Sequence, residues 1–310
     1  MRDRGRIIIV RNGAIGDTIL LAPVIHALRT YFPAREILLL GRWERVSLLV
    51  GPSFATRALG FDLPGIHTLY GPTPALPPEV SGLFGSASVV LWYGEDRDEQ
   101  LAGNLIELCP GRVVVHSPHP TEHRHITDHL MLPLGWVNVP RPLAVPPLEV
   151  SATLPDDLED LLMWSRRGTN RIVIHPGASR KEKCLPVSVW ADVLHALCPH
   201  SLSRIVVLSG PEEEKLGIDL CAAVHDLDPM LIHNRPLPDL VAVLRHADLF
   251  LGHDSGITHL AGAVGCRTVA VFRSTDPRMW APPRENVEII EIGPHEEECA
   301  ARRIPAMLSS

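Results

Sequence analysis

The sequence lacks the features on which several large classes of protein depend. No uninterrupted apolar run approaches the roughly 20 residues of a membrane-spanning helix. Its six cysteines, Cys109, Cys184, Cys198, Cys221, Cys266 and Cys299, contain no C-x-x-C pair. Neither a disulfide framework nor a cysteine metal site is therefore expected, and Cys198 and Cys221 fall within helical patterns where buried thiols are common. There is no H-E-x-x-H spacing. A formal net charge of −7 leaves no broad basic footprint and argues against nucleic acid as a partner. The opening residues, Met1–Val10, carry charge but an apolar stretch of only four residues before a glycine-rich turn. They read as a first strand rather than a signal peptide, and the protein as cytoplasmic.

What is present is ordinary globular composition: 45% hydrophobic and 21% charged residues, enough to build a core and far from the disordered regime. Strand-like and helix-like runs alternate from end to end. Ile7–Val10 leads to a helical pattern at Thr18–Tyr31, and Ile37–Gly41 to another at Glu44–Val50. Ser88–Tyr93 precedes a helix at Asp98–Leu108, and Val113–His116 precedes one at Glu122–Leu134. Between them Gly51–Pro78 is rich in glycine and proline, and predicts only a short strand near His67–Tyr70. Near-continuous β-branched or leucine strands imply a parallel, doubly wound α/β sheet covered on both faces.

The stretch Val139–Pro147 holds four prolines in nine residues and favours extended chain. Beyond it the alternation restarts, with strands at Ile172–His175, Ile205–Leu208, Met230–His233, Leu249–Gly252, Thr268–Phe272 and Val287–Ile292. Helices are predicted at Val187–Leu197, Glu212–Val224, Leu237–His246, Ile257–Val264 and Glu296–Met307. Two domains result, 1–150 and 151–310, with a cleft between them. Ligands in such sheets bind beyond the carboxyl ends of the strands, so the strand-to-helix loops are the candidate sites.

Four loops carry candidate chemistry. In Arg11-Asn-Gly-Ala-Ile-Gly-Asp17, Gly13 and Gly16 permit a sharp turn, and Asp17 stands at a helix start. It is either an N-cap or a general base aimed into the cleft. In His175-Pro-Gly-Ala-Ser179, followed by Arg180–Lys183, small residues, exposed N–H groups and lysines suit a phosphate; the alternative is a solvated basic loop. Ser209-Gly-Pro-Glu-Glu-Glu214 has ordinary helix-start chemistry, or supplies a glutamate for ribose hydroxyls. The fourth loop, Gly252-His-Asp-Ser-Gly256, runs straight into a helix of small residues. The N–H groups of Ser255, Gly256 and Ile257 at that positive end favour a diphosphate, whereas Asp254 or Ser255 as a cap and His259 as a core histidine is the plainer reading. A histidine cluster, His116, His119, His123, His125 and His129, places His125 and His129 four apart on one helix face. A polar face that turns, with Arg124, toward the acceptor cleft is preferred over a metal site.

In these loops the sequence resembles the heptosyltransferase family, glycosyltransferase family 9, in order and nearly throughout. The matching segments are Gly16-Asp-Thr-Ile-Leu-Leu-Ala-Pro23, His175-Pro-Gly-Ala-Ser179 with Lys183 and Pro186, Ser209-Gly-Pro-Glu-Glu213, Asp254-Ser-Gly-Ile-Thr-His-Leu-Ala261, and Thr275-Asp-Pro277 with Trp280. The resemblance implies a GT-B architecture of two facing Rossmann-like domains, the N-terminal one binding the acceptor and the C-terminal one the nucleotide sugar. It implies an inverting transfer of heptose from ADP-heptose to the inner core of lipopolysaccharide, with no cofactor and no metal, at the periphery of the inner membrane surface. Carried over by position, Asp17 is the base, with Gly16 and Arg124 on the acceptor side, and Lys183 neutralises the diphosphate. Asp254 contacts the donor sugar, while Ser255, Gly256, Ile257 and Thr258 hold the phosphates. Ser179 and His259 complete the donor set, and a glutamate among Glu212–Glu214, with Glu212 and Glu214 the choices, binds the ribose. Two positions depart from the family pattern: Arg273-Ser274 stands where Gly-Pro is usual, and Leu185 where tryptophan is frequent. A different nucleotide sugar, a small natural-product acceptor, a sugar-nucleotide epimerase and a non-catalytic binder are the competing readings; an epimerase would turn over its donor with no acceptor present.

Overall fold

The computed structural model describes residues 5–158, 170–198 and 203–308. The chain divides into two compact units, Met1–Val150 and Ser151–Ser310.

In the first unit the elements follow as β1 (Arg6–Arg11), α1 (Ile15–Ile19), α2 (Ala22–Tyr31), β2 (Ile37–Gly41), α3 (Trp43–Val46), β3 (Arg57–Gly60), α4 (Pro78–Gly85), β4 (Ala87–Tyr93), α5 (Gln100–Leu108), β5 (Arg112–His116), α6 (Ile126–Leu130) and α7 (Leu132–Trp136). The strands form one sheet in the order β3-β2-β1-β4-β5, every pair parallel. Ile7, Ile8, Ile9 and Val10 are buried on both faces, which is why β1 reads as an unbroken apolar run.

Three expectations for this unit change. The helix foreseen at Thr18–Tyr31 is two, α1 and α2; Pro23, with no N–H to continue a ladder, sits in the first turn of α2. Likewise Pro133 opens α7 and divides the helix expected over Glu122–Leu134. The strand expected near His67–Tyr70 is a 3₁₀ turn, Ile66–Tyr70, and β3 is the strand of that region. The buried Asn104 amide donates to the carbonyls of Leu69 (2.9 Å) and Gly71 (2.8 Å), so acceptors that a strand would give to a neighbour are already taken.

The second unit runs β6 (Asn170–His175), α8 (Val187–Leu197), β7 (Ser203–Ser209), α9 (Glu214–Ala223), β8 (Met230–His233), α10 (Leu237–His246), β9 (Leu249–His253), α11 (Gly256–Ala263), β10 (Thr268–Phe272), α12 (Pro277–Trp280), β11 (Val287–Glu291) and α13 (Glu297–Leu308). Its sheet is again wholly parallel, in the order β11-β10-β9-β6-β7-β8. Trp190 of α8 is fully buried, and Ala300 and Ile304 of α13 join the same core.

In each sheet the strand order reverses at one place, and a crevice opens there beyond the strand ends. It lies between β1 and β4 in the first unit, where Arg11 pairs with Tyr93. In the second it lies between β6 and β9, where His175 pairs with Gly252. Among the described residues no helix is long and apolar enough to cross a membrane.

Candidate active site

At the second crevice, α11 begins immediately beyond β9, and Ser255 is its N-cap, its hydroxyl accepting from the Thr258 N–H at 3.4 Å. Thr258 turns its own hydroxyl down onto the His253 carbonyl. The residues at this helix start therefore divide. Ser255, Gly256 and Ile257 are half-buried at the positive end of an eight-residue helix, while Thr258 and His259 are buried beneath it. The first N–H groups of a helix have no partner within it, and here they face an anion's natural place.

Lys183 reaches this helix start from the turn Lys181–Lys183. Its ammonium lies 2.5 Å from Asp254 Oδ2 and 3.3 Å from the Asp254 carbonyl. The Thr275 hydroxyl donates to the same carboxylate oxygen at 2.7 Å, and His259 Nε2 stands 3.9 Å from the other oxygen. The two side chains are only 13% and 8% exposed, so the ion pair is largely out of water and its attraction is weakly screened. A buried pair needs further hydrogen bonds to offset its desolvation, and Thr275 supplies one.

Below the loop that follows β6, His175 Nε2 donates to Glu213 Oε2 at 2.8 Å, and the Gly210 N–H donates to the same oxygen at 2.9 Å. Burial pushes the Glu213 carboxyl up, but His175 and Gly210 together hold it below the usual carboxylate range. Glu213 lies directly over Gly177, where a Cβ would come within 2.1 Å of Oε1, so a side chain there would displace the Glu213 carboxylate. Of the three glutamates, Glu212 and Glu214, singled out from the sequence, are exposed, and Glu213 is the one turned toward the crevice. The orientation of Glu213 has a local cause. Glu213 is the N-cap of α9, and its carboxylate folds back on the Gly210 N–H. Ser179 is exposed on the loop.

His253, fully buried at the end of β9, accepts the Leu185 N–H on Nε2 at 2.8 Å. Burial, reinforced by the neighbouring His175, pulls its pKa down to about 3, so it is a neutral acceptor with its proton on Nδ1. Arg273, just past β10, donates one Nη to the Cys184 carbonyl and the other to Glu297 of α13. Sequence reasoning missed both fastenings, because they join residues 68 and 89 positions apart.

At the first crevice Asp17 is the third residue of α1 rather than its N-cap, which is Ala14. Its Oδ2 accepts the Ala14 N–H at 2.9 Å and lies 3.4 Å from Arg11 Nη2. The carboxylate keeps 35% of its exposure, so it both caps and remains accessible. Gly16 beside it is buried. Arg11 is buried, with no partner for Nε; burial lowers its pKa and Asp17 counters part of that. Arg45 donates to the Gly13 carbonyl and closes the loop from the other side. Burial raises the Tyr93 pKa far above neutrality, and its hydroxyl donates to the Leu130 carbonyl at 2.7 Å, which leaves it no acid–base role.

The histidines do not share one helix face. His125 is the N-cap of α6, accepting from the Thr127 N–H, while His129 turns to the Ser117 carbonyl at 2.8 Å. His116 stacks on His129 with ring centres 4.4 Å apart and donates to the His129 carbonyl at 3.1 Å. Burial, then the charge of His129, lowers the His116 pKa. Arg124 pairs with Glu122 at 3.1 Å on the loop before α6. Among the described residues no group of three or more His, Cys, Asp or Glu side chains is placed to hold a metal ion.

With this geometry in view, the comparisons with known proteins agree. The family model of glycosyltransferase family 9 (heptosyltransferase) matches residues 88–307. Lipopolysaccharide heptosyltransferase 3 of Escherichia coli is 26% identical over 310 residues, spanning 91% of this chain and 87% of the relative. The solved structure of E. coli ADP-heptose lps heptosyltransferase II covers 98% of this chain and 97% of its own, with a TM-score of 0.74 at 15% identity. That of E. coli heptosyltransferase WaaC with ADP covers 98% and 99%, with a TM-score of 0.72 at 14% identity. At such identities the structures establish the fold, which is of the GT-B class.

Proposed function

Since the chain belongs to glycosyltransferase family 9 and is a glycosyltransferase, we propose that it moves heptose from ADP-heptose to a hydroxyl of the lipopolysaccharide inner core, with inversion and without a metal. The observation that carries the reading is the buried Lys183–Asp254 pair at the start of α11. In this reading the second unit binds the donor. Lys183 and the N–H groups of Gly256 and Ile257 take the diphosphate, with Ser255 and Ser179 at its edge and Thr258 and His259 supporting from below. Glu213 takes the ribose hydroxyls, and Asp254 a hydroxyl of the sugar.

The first unit binds the acceptor, with Gly16 and Arg124 on that side. Asp17 removes the acceptor's hydroxyl proton as its oxygen attacks the anomeric carbon from the face opposite the diphosphate. The bond from that carbon to the diphosphate oxygen breaks, and its electron pair leaves with ADP. Charge developing on the leaving group is met by a lysine and a helix N-terminus, which act without reorganising. A lipid-linked acceptor brings the enzyme to the inner surface of the membrane.

The test is acceptor-dependent release of ADP from ADP-heptose, measured with and without EDTA. Release that requires the acceptor and survives EDTA is expected. Donor turnover with no acceptor present would assign an epimerase-type or hydrolytic activity instead, and loss with EDTA restored by Mg²⁺ or Mn²⁺ would defeat the metal-independent mechanism.

A further inference from the structure

Three consecutive residues of the loop between β6 and α8 are fastened to three different residues at strand ends. The Lys183 ammonium is held by Asp254 beyond β9. The Leu185 N–H is held by His253, the last residue of β9. Between them the Cys184 carbonyl accepts from Arg273, the first residue beyond β10. The outer two fastenings use the residues of one strand end, and the middle one crosses to the next.

Arg273 is an unusual occupant of its position. Its side chain is 14% exposed, and its Nε is buried with no hydrogen-bond partner. Burial of a guanidinium with an N–H unsatisfied opposes stability unless the rest of the fork is well used. Both terminal nitrogens are used, one on the Cys184 carbonyl and one on Glu297 in the first turn of α13. Helix α13 is itself packed into the core that holds Trp190 of α8, the helix into which the Lys183 loop runs. The guanidinium thus joins the donor loop to a helix fixed on the same core.

We infer that Arg273 is a positioning residue for donor binding: with Glu297 as its counter-ion it holds the Cys184 carbonyl, and so fixes Lys183 beside the α11 start before the donor arrives. The inference rests on the donor-site reading above. A lysine whose backbone is already fixed loses less freedom on binding, and that saving appears as affinity. Arg273 acts through Lys183 and not on the diphosphate, because its two terminal nitrogens are engaged elsewhere.

A double-mutant cycle separates these roles. ADP affinity is measured by calorimetry on the full chain for the wild type, Arg273→Ala, Lys183→Ala and the pair, with the melting temperature of each. Arg273→Ala is expected to weaken ADP about tenfold when Lys183 is present, the scale of one charge-assisted hydrogen bond, and less than about twofold when Lys183 is absent. Turnover at saturating donor should change less than the KM for donor. An equal tenfold loss in both backgrounds would overturn the inference, since Arg273 would then meet the ligand itself. Unchanged affinity in folded Arg273→Ala would overturn it too. If Arg273→Ala does not fold, Glu297→Gln takes its place in the cycle: a loss that disappears with Lys183→Ala supports the inference, and no loss overturns it. Should Lys183→Ala leave ADP affinity intact, the donor-site reading itself fails; Lys183→Ala weakened with Arg273→Ala neutral removes only this inference.

Discussion

The two crevices are built on the same plan and finished differently. Beyond β9 the ion pair is largely dry and the loop is fastened at several points: Asp254 is held by Lys183 and Thr275, the Leu185 N–H by His253, and the Cys184 carbonyl by Arg273. Beyond β1 the carboxylate of Asp17 is about one-third exposed, on a helix of only five residues, with one backbone N–H and one guanidinium at 3.4 Å. A diphosphate is chemically constant and heavily charged, so preformed, dehydrated contacts suit it. A base must admit a hydroxyl and release a proton, and a carboxylate sealed in a network does neither well. Under the proposed function, the difference teaches that the donor side is specified by rigidity and the acceptor side by access.

Asp17→Asn breaks that comparison most sharply. Asparagine keeps the bond to the Ala14 N–H but is no base, so turnover should fall by about 10²–10⁴-fold while ADP affinity and melting temperature stay level. Near-normal turnover in this variant, if well folded, would move the base elsewhere. On the other side, Lys183→Ala should weaken ADP by roughly ten- to a hundredfold in a titration, because it also strands the Asp254 charge. An equal loss from Arg45→Ala would erase the distinction between the crevices.

Dryness can be probed by pH. His253 is neutral in the fold with its pKa lowered from 6.5 to about 3, so the unfolded chain takes up a proton first. Its stabilising contribution is complete above pH 6.5 and is lost as pH falls from 6.5 toward 3. Urea unfolding at pH 5 should show a loss of about 2 kcal/mol from this group, at about 1.4 kcal/mol per pH unit. His253→Gln should flatten the slope in part only, since His116, lowered in the same direction, contributes from the first unit. An unaltered slope would mean that water reaches His253. The smallest effect separates neighbours: Glu213→Ala should weaken ADP several-fold, by about the value of a ribose hydrogen bond, whereas Glu212→Ala and Glu214→Ala should leave it unchanged within error.

Much of this was legible in the chain. Strands β6, β7, β8 and β9 of the second unit were visible as apolar runs ended by Gly, Ser or His, because a strand buried on both faces admits little else. The α11 start could be read from Asp254-Ser-Gly256 because capping and close approach demand those residue types at that spacing. The turn at Ile66–Tyr70 was not legible, since Asn104, the side chain that takes its carbonyls, lies more than thirty residues away. Neither was the choice of Glu213 over its neighbours. Three glutamates in a row have the same local chemistry, and only the positions of His175 and Gly177 separate them. Arg273 could be seen as a departure, but its partners depend on how β10 and α13 are stacked.

In the proposed donor site, the contact between Lys183 and Asp254 also governs how binding responds to ionic strength. An ammonium that already has a carboxylate at 2.5 Å carries no cloud of mobile anions to shed. Arrival of a diphosphate is then the replacement of one bound anion by another, with the displaced carboxylate left to Thr275 and to a hydroxyl of the incoming sugar. ADP affinity should accordingly fall only gently between low and moderate salt, far less than for a surface lysine facing the same phosphate. The same exchange run backwards eases departure: once the sugar has gone, Asp254 is free to reclaim the lysine, and ADP leaves without stranding a bare charge.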